Sequence, residues 1–376
     1  MEQGIMKLLE LATNLFTMFR WNNTPTMLRT NEAENAFVSA QFALLMSNLA
    51  RKSKMRVNEK ELLERIVLKE LPKCVLSDIS VDTKILIRDL DPEKWNAVYN
   101  TAVNEVVDYL PETKKNQFSS IIHRAKDDSV EGKIISASDL LSARLEADLH
   151  NRIFPEYYGV ILKSFDDRLS RYNNFQPYRD LVNSQWFTTY KESLIVLIRA
   201  VRWNRLNRNV KTTVAGHSFY VALISFLFSY EEKSKNVKLD EIEIIKRALL
   251  HDIPESLTGD IITPTKQKVT GFEELVERVE EVMVTDKLLN DMPEELISEF
   301  KNKILKPFEG INGKLVRAAD LTAAIVECLM EIKSGNNQMS FRIALNNMLD
   351  QLVESEFSAV KQVSDFFKLS FEWTGR

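Results

Sequence analysis

The chain repeats itself, and this internal duplication constrains its fold more than any other feature of the sequence. When residues 20–40 are placed over residues 202–222, seven of the 21 positions are identical. The same shift of 182 positions continues without a gap to Lys84, which lies over Lys266. With one residue of slippage, the later matches are Asp139 with Asp320 and Glu146 with Glu327. Because a chance match rarely keeps its register over about 120 residues, we interpret the chain as a duplication.

The pattern of apolar residues predicts that each unit is helical. In LDEIEIIKRALLHD the apolar residues recur every three or four positions, and Pro254 follows closely to end the helix. Glycine and proline contribute only 10 residues each, too few for a turn-rich sandwich or barrel. We therefore predict an all-α fold with one domain over 1–182 and a second over 183–376, joined around 171–185.

Composition excludes several classes of protein. Lys and Arg number 50 against 54 Asp and Glu, so the net charge is −4 and bulk binding to nucleic acid is not expected. Cys74 and Cys328 are too few for a disulfide framework, which favours a reducing compartment. The N-terminus lacks the order of a signal peptide, and no apolar run approaches the ~18 residues of a membrane span. We expect a cytoplasmic protein that does not bind membranes.

Two of the four histidines stand in the second unit with acidic residues as companions. We predict that His217 opens one helix, that His251 and Asp252 close another, and that Asp320 lies within a third. Two imidazoles and two carboxylates suit a borderline divalent ion such as Mn²⁺, Co²⁺, Zn²⁺ or Fe²⁺. Such an ion lowers the pKa of a bound water enough to form hydroxide near neutral pH. Taken alone, a His-Asp pair indicates a structural histidine more often than a metal ligand.

The sequence around these residues resembles the HD-domain phosphohydrolases, and within them the bacterial YfbR-like 5′-deoxynucleotidases. The resemblance rests on RNVKTTVAGHS, LLHDIPESLTGDIITPTK and VRAADLTAAIVECL, in this order, and on an upstream Arg-Trp pair. It is close over roughly residues 190–345 and decayed in the first unit. Because members of the family work as homodimers, it implies two tandem HD-type helical domains packed as a pseudo-dimer, with further homo-oligomerisation left open.

The resemblance also implies roles for individual residues. One divalent metal ion would be bound by His217, His251, Asp252 and Asp320. Glu255 would orient or deprotonate the attacking water, and Asp260, with Thr263 beside it, would act at the leaving 5′ oxygen or the sugar. Arg202 would hold phosphate oxygens, and Trp203 would press on the sugar and disfavour a 2′-hydroxyl. The reaction implied is attack of water on a deoxynucleoside 5′-monophosphate, which releases a deoxynucleoside and phosphate.

Alternatives to this reaction remain open. No histidine lies between Asp252 and Asp320, which favours one ion over the two-metal phosphodiesterases. A deoxynucleoside triphosphohydrolase, or an enzyme acting on another small phosphomonoester, would use the same residues. An alternative of another class is a nucleotide sensor or scaffold in which catalysis is vestigial.

The first unit has lost the metal-binding set and is predicted to be a degenerate HD domain. At the four ligand positions it carries Asn35, Lys69, Glu70 and Asp139. We predict that Lys69 places its ammonium near the vacated ion position and pairs with Asp139 or Glu70, because a buried charge needs such a partner. Arg20 and Trp21 survive in this unit, which is compatible with a degenerate nucleotide pocket or with packing alone.

Overall fold

The chain folds into α-helices, as predicted. The computed structural model describes residues 3–77, 79–233, 237–261, 263–266 and 268–374. The first half contains α1 (Gln3–Ala12), α2 (Asn14–Thr17), α3 (Glu32–Lys52), α4 (Glu59–Leu68), α5 (Val81–Leu90), α6 (Pro92–Val107), α7 (Glu112–His123), α8 (Val130–Asn151), α9 (Pro155–Leu169) and α10 (Gln176–Val182), with 3₁₀ turns at Leu71–Cys74 and Ser170–Tyr172.

The second half repeats this plan with a different middle section. It contains α11 (Trp186–Arg199), α12 (Val214–Lys233), α13 (Glu241–Leu250), α14 (Glu255–Thr258), α15 (Thr263–Lys266), α16 (Phe272–Met283), α17 (Glu294–Leu305), α18 (Gly310–Lys333), α19 (Met339–Val353) and α20 (Ser358–Thr374), with a π-helical segment at Val284–Leu289. Within the described ranges, extended pairing is limited to two isolated bridges, one in each half. The all-α prediction is confirmed.

Equivalent helices of the two halves carry equivalent interactions. Helices α4 and α13 each hold an ion pair one turn apart, Arg65 with Glu61 at 2.6 Å and Arg247 with Glu243 at 2.7 Å. In each half the Arg-Trp pair precedes the long helix α3 or α12 and packs toward α8 or α18. The duplication inferred from sequence is therefore repeated in the local structure.

Helices α3 and α12 pack against each other at the centre of the molecule. Both are buried on nearly every face, the pattern of a helix surrounded by other helices. Gly216 allows their close approach, since a Cβ there would lie 3.2 Å from the Phe16 ring and 3.4 Å from the Ala33 Cβ. The Tyr220 hydroxyl also donates to the Leu9 carbonyl at 2.7 Å. One continuous apolar core runs through both halves, so they pack as a pseudo-dimer.

One local expectation needs correction. Helix α12 begins at Val214, earlier than its predicted start near His217, because the Thr213 hydroxyl accepts a hydrogen bond from the Gly216 amide in its first turn. The joint predicted around 171–185 is itself mostly helical, and α10 within it packs on α3. The division at residue 182 stays a prediction.

Among the described helices, none combines the length and apolarity needed to cross a bilayer.

Candidate metal centre

Three of the four predicted ligands come together from three different helices. One ligand atom each from His217, His251 and Asp320 can be chosen so that all lie within 4.8 Å of one another. His217 lies in the first turn of α12, His251 caps the C-terminus of α13, and Asp320 lies within α18. The fourth, Asp252, follows in the turn after α13, and its Oδ2 is 3.1 Å from His251 Nε2. Three of the four predicted ligands therefore approach one point, and Asp252 adjoins His251 beside it.

A hydrogen bond at Nδ1 of His251 leaves its other ring nitrogen, Nε2, to face the predicted metal position. Its Nδ1 lies 2.8 Å from the Ala248 carbonyl, an acceptor only, so Nδ1 carries the proton. The buried Nε2 then has a free lone pair, and it forms no hydrogen bond in the described structure. Asp252 Oδ2 lies 3.1 Å from Nε2, and the two atoms can face each other with either a proton or a metal ion between them. This donor set fits a divalent metal ion.

His217 is held between two carboxylates. Its Nδ1 is 3.0 Å from Glu327 Oε1, and its Nε2 is 3.0 Å from Asp320 Oδ1. Burial and Arg202 oppose a charge on the ring, but Glu327 and Asp320 outweigh them and raise the pKa of His217 to about 9. A metal ion at Nε2 would replace the proton there, while Glu327 would keep the proton on Nδ1.

Glu327 is a site residue to which the sequence analysis gave no role. It is 1% exposed, and its Oε2 accepts hydrogen bonds from Trp203 Nε1 at 2.6 Å and from Arg202 Nε at 3.3 Å. Although burial opposes its ionisation, Arg202 and His217 hold the pKa of Glu327 well below its ordinary value. One carboxylate thus links a predicted metal ligand to two predicted substrate-binding residues. Its match with Glu146 in the repeat was the signal that could have revealed it.

The Arg-Trp pair lies on a tight loop closed by a bridge between Val201 and Thr213. Trp203 has a positive φ of 58°, which is a strained conformation for a bulky side chain and typical of functional sites. Its ring packs on Phe341 with centroids 5.7 Å apart. Arg202 Nη1 lies 3.8 Å from Asp252 Oδ2, so the guanidinium reaches the edge of the ligand cluster. Arg202 and Trp203, two of the three predicted substrate-binding residues, therefore lie beside the predicted ligands.

Glu255 and Asp260 border the same site. Glu255 begins the short helix α14, and its Oε2 is buried without a hydrogen-bond partner in the described structure. Burial, then the charges of Asp252 and Asp260, raise the pKa of Glu255 well above its ordinary value. Burial also raises the pKa of Asp260, against the opposing charge of Arg202. The side chain of Thr263 lies outside the described part, so its predicted contact stays a prediction.

In the first half, lysines stand at the positions that His251 and Glu255 hold in the second half. Lys69 Nζ contacts Glu70 and lies 2.9 Å from Asp139 Oδ1, which confirms the predicted pairing. Lys73, at the position of Glu255, bridges Glu32 and Glu70 at 2.7 Å each. These ammonium groups neutralise the carboxylates that remain after the loss of the histidines.

Comparison with known proteins agrees with this picture. A family model described as 5′-deoxynucleotidase YfbR-like matches residues 7–175 and 189–371. The 5′-deoxynucleotidases of Yersinia pestis (strain Pestoides F) and Yersinia pseudotuberculosis (serotype O:3) are each 33% identical over 140 residues, which are 36% of this chain and 70% of theirs. A solved HD-domain phosphohydrolase from Listeria innocua shares 24% identity with a TM-score of 0.44, over 50% of this chain and 88% of that one.

The family model covers nearly all of the chain in two segments, which confirms the tandem arrangement predicted from the repeat. Three of the predicted metal ligands, His217, His251 and Asp320, meet in the second of these segments. The chain belongs to the YfbR-like 5′-deoxynucleotidase family, whose model it matches in two tandem units.

Proposed function

We propose that the second half removes the 5′-phosphate from deoxynucleoside 5′-monophosphates. The observation that carries this proposal is the meeting of His217, His251 and Asp320 beside Arg202 and Trp203. This arrangement combines a predicted metal site with a cation for phosphate and an aromatic ring for the sugar. The Yersinia relatives are named 5′-deoxynucleotidases, which supports the same substrate class.

Four side chains would hold a single divalent ion: His217, His251, Asp252 and Asp320. Their mixture of imidazoles and carboxylates suits Mn²⁺, Co²⁺, Zn²⁺ or Fe²⁺. When bound, such an ion supplies a water of lowered pKa and offsets charge on the phosphate. The Ala248 carbonyl and Glu327 fix the two rings so that each presents Nε2 to the ion.

The substrate would be held by the strained loop. Arg202 offers a planar guanidinium that can bind two phosphate oxygens at once, and Glu327 orients it through Nε. Trp203 is fixed by the hydrogen bond from its Nε1 to the same carboxylate. We propose that its ring packs against the deoxyribose and leaves no room for a 2′-hydroxyl.

Two carboxyl groups would handle protons. Glu255 lies beside Asp252 in a buried setting, where it can accept a proton from the attacking water. Burial raises the pKa of Asp260, and we propose that this carboxyl group acts at the leaving 5′ oxygen or binds the sugar, together with Thr263. The guanidinium of Arg202 stabilises the negative charge that develops on the transferring phosphoryl group.

Phosphate release from a panel of deoxynucleoside and nucleoside 5′-monophosphates, with Mn²⁺ or Co²⁺ supplied, tests this proposal. We expect deoxynucleotides to be preferred and His251→Ala to lower the activity at least about 100-fold, since losing a ligand weakens a metal site more than losing its outer partner. His123→Ala, which changes an exposed histidine at the end of α7, is the matched control and should leave activity unchanged. Equal activity in the wild type and His251→Ala would place the reaction elsewhere.

The same assay, extended to deoxynucleoside triphosphates and to unrelated phosphomonoesters, separates the alternatives. Release of triphosphate from deoxynucleoside triphosphates would identify a triphosphohydrolase, and turnover of unrelated phosphomonoesters would identify a broader phosphatase. Nucleotide binding without any turnover would favour a sensor or scaffold. A cytoplasmic location and homo-oligomers beyond the pseudo-dimer stay predictions.

A further inference from the structure

The loop of residues 201–213, which carries the Arg-Trp pair, is joined to the last turn of α18 by a buried ion pair. Glu331 of α18 is 0% exposed, and its Oε1 accepts from Arg208 Nε at 2.9 Å. Its carboxylate also accepts from the loop amides of Asn209 and Val210, at 2.9 Å each. One side chain therefore fixes the loop at three points.

Arg208 extends this connection to the residue proposed to bind phosphate. Its Nη1 donates to the Arg202 carbonyl oxygen at 2.8 Å and to Thr212 Oγ1 at 2.9 Å. That carbonyl belongs to the peptide bond between Arg202 and Trp203. Because a guanidinium group is planar and rigid, its simultaneous bonds to Glu331 and to this carbonyl set the position of that peptide relative to α18.

The turn after α18 holds the same carboxylate from the other side. Asn336 Nδ2 donates to Glu331 Oε2 at 2.7 Å and to the Asn207 carbonyl at 2.8 Å. Gln338 Nε2 donates to the Asn207 carbonyl as well, at 2.5 Å. We call Arg208, Glu331 and Asn336 the loop clamp. Its bonds run from α18 and the following turn to the backbone of the loop.

The first half has a simpler contact at this place. Thr26 stands at the position of Arg208, and His150 stands at the position of Glu331. His150 Nδ1 accepts a hydrogen bond from the Met27 amide at 3.2 Å. A single bond to the loop backbone therefore replaces the charged clamp in the half that has lost its metal ligands.

The loop keeps its shape in the first half without the clamp. Trp21 has a φ of 60° and Trp203 a φ of 58°, and each indole donates to a buried carboxylate of α8 or α18. Nη2 of Arg208 is also buried without a hydrogen-bond partner in the described structure, and a buried ion pair is weak evidence for stability. Formation of the loop therefore does not explain the clamp.

We propose that Arg208 and Glu331 are positioning residues that set how closely Arg202 and Trp203 approach the substrate, and so control the preference for deoxyribose. This inference rests on the proposed function of the second half. Neither residue is assigned a contact with substrate, since both act through the Arg202 carbonyl. The ring of Trp203 can exclude one oxygen atom only if it is held precisely, and a displacement of about 1 Å can lower a rate about 100-fold.

Hydrolysis of deoxynucleoside and nucleoside 5′-monophosphates by the full, Mn²⁺-loaded chain tests this proposal. For Arg208→Ala we expect kcat/KM on the deoxynucleotide to fall about 100-fold. The ratio of kcat/KM for deoxynucleotide over ribonucleotide should fall about tenfold, out of the roughly 100-fold that a shaped pocket achieves against an added hydroxyl. Arg208→Lys keeps the charge and one donor, and should recover part of both losses. Affinity for Mn²⁺ should not fall, because the hydrogen bonds of Arg208 go to the loop and to Glu331.

His150→Ala is the matched control in the first half. It removes the corresponding bond to the loop backbone, so it should lower stability in urea unfolding and leave the deoxyribose preference unchanged. If Arg208→Ala does not fold, Glu331→Gln is the second variant, because it keeps the size of the side chain and turns an NH₂ group toward donors of the loop. A folded clamp variant whose kcat/KM ratio equals that of the wild type would overturn the proposal and leave the clamp a structural role only.

Failure of the proposed function is a separate outcome, since it appears as absence of hydrolysis in the wild type. Calorimetric titration of the Mn²⁺-loaded chain with the same nucleotides then measures the preference through binding. A preference for deoxynucleotide that Arg208→Ala weakens would support the positioning role without turnover. Equal preference in the wild type and Arg208→Ala, or no nucleotide binding at millimolar concentrations, would overturn it.

Discussion

Replacement of Glu327 by glutamine tests how one buried carboxylate controls the metal centre. Oε2 of Glu327 accepts from both Trp203 and Arg202, so the amide oxygen of glutamine should take that place and its NH₂ group should face His217. Nδ1 of His217 must then accept, and the ring proton moves to Nε2, where it lies toward Asp320. The ring would present a proton, instead of a lone pair, to the ion.

The magnitude follows from this change of tautomer. Losing an outer partner of a metal-bound histidine weakens metal affinity by about 10–100-fold, which is about 1.4–2.7 kcal/mol. The hydrogen bonds to Trp203 and Arg202 survive, so we expect the free energy of unfolding to fall by only about 1–3 kcal/mol through loss of the charge beside Arg202. Calorimetric titration with Mn²⁺ measures the first quantity, and urea unfolding of the metal-free chain measures the second.

The repeat supplies the matched control. Glu146 accepts from Trp21 at 2.7 Å and from Arg20 at 3.0 Å in the same way, but the position of His217 is Asn35 in the first half. Glu146→Gln should therefore destabilise the chain by a similar amount and leave Mn²⁺ affinity unchanged. Metal affinity of Glu327→Gln within twofold of the wild type, or an equal loss in Glu146→Gln, would refute the argument from the tautomer.

Three further changes test other parts of the structure. Lys69→Ala leaves Glu70 and Asp139 facing each other without their common cation, and we expect urea unfolding to show a loss of about 3–5 kcal/mol, with Lys69→Arg retaining most of the stability. Burial raises the pKa of Glu34 to about 7 from an ordinary 4.5, so the folded chain holds this proton more tightly than the unfolded chain does. The free energy of unfolding should therefore fall by about 3 kcal/mol between pH 4.5 and 7 and level off above pH 7. A Glu34→Gln variant whose free energy of unfolding shows the same fall would contradict this assignment. Gly313→Ala would place a methyl group 2.2 Å from a backbone carbon of the preceding turn, and a thermal melt should show a loss of about 1–3 kcal/mol or more.

The sequence was sufficient for the features that depend on local pattern and on repetition. Apolar residues at helical spacing predicted the long helices, and the stop after His251 follows from Pro254, which cannot continue a helix. The partners of Lys69 were also predicted correctly from the sequence, because a buried ammonium group needs a carboxylate partner. Each of these conclusions needs only the chemistry of neighbouring residues.

Other features depend on long-range packing. Glu327 was visible as a repeated residue, but nothing in the sequence placed its carboxylate between His217 and Trp203, which are 110 and 124 positions away. The start of α12 was missed because it depends on the hydroxyl of Thr213 at the cap. Such contacts are set by how α12 and α18 cross, and local propensity does not determine that crossing.

The sequence by itself determined that the chain is a helical duplication and that only one copy keeps a possible set of metal ligands. It also determined that a lysine replaces one of those ligands in the other copy. The tertiary structure decided which atoms of those residues meet. It gave His251 its tautomer through the Ala248 carbonyl and joined His217, Arg202 and Trp203 through Glu327. The physical reason is that hydrogen-bond direction and burial depend on helix packing, whereas residue type and periodicity are written along the chain.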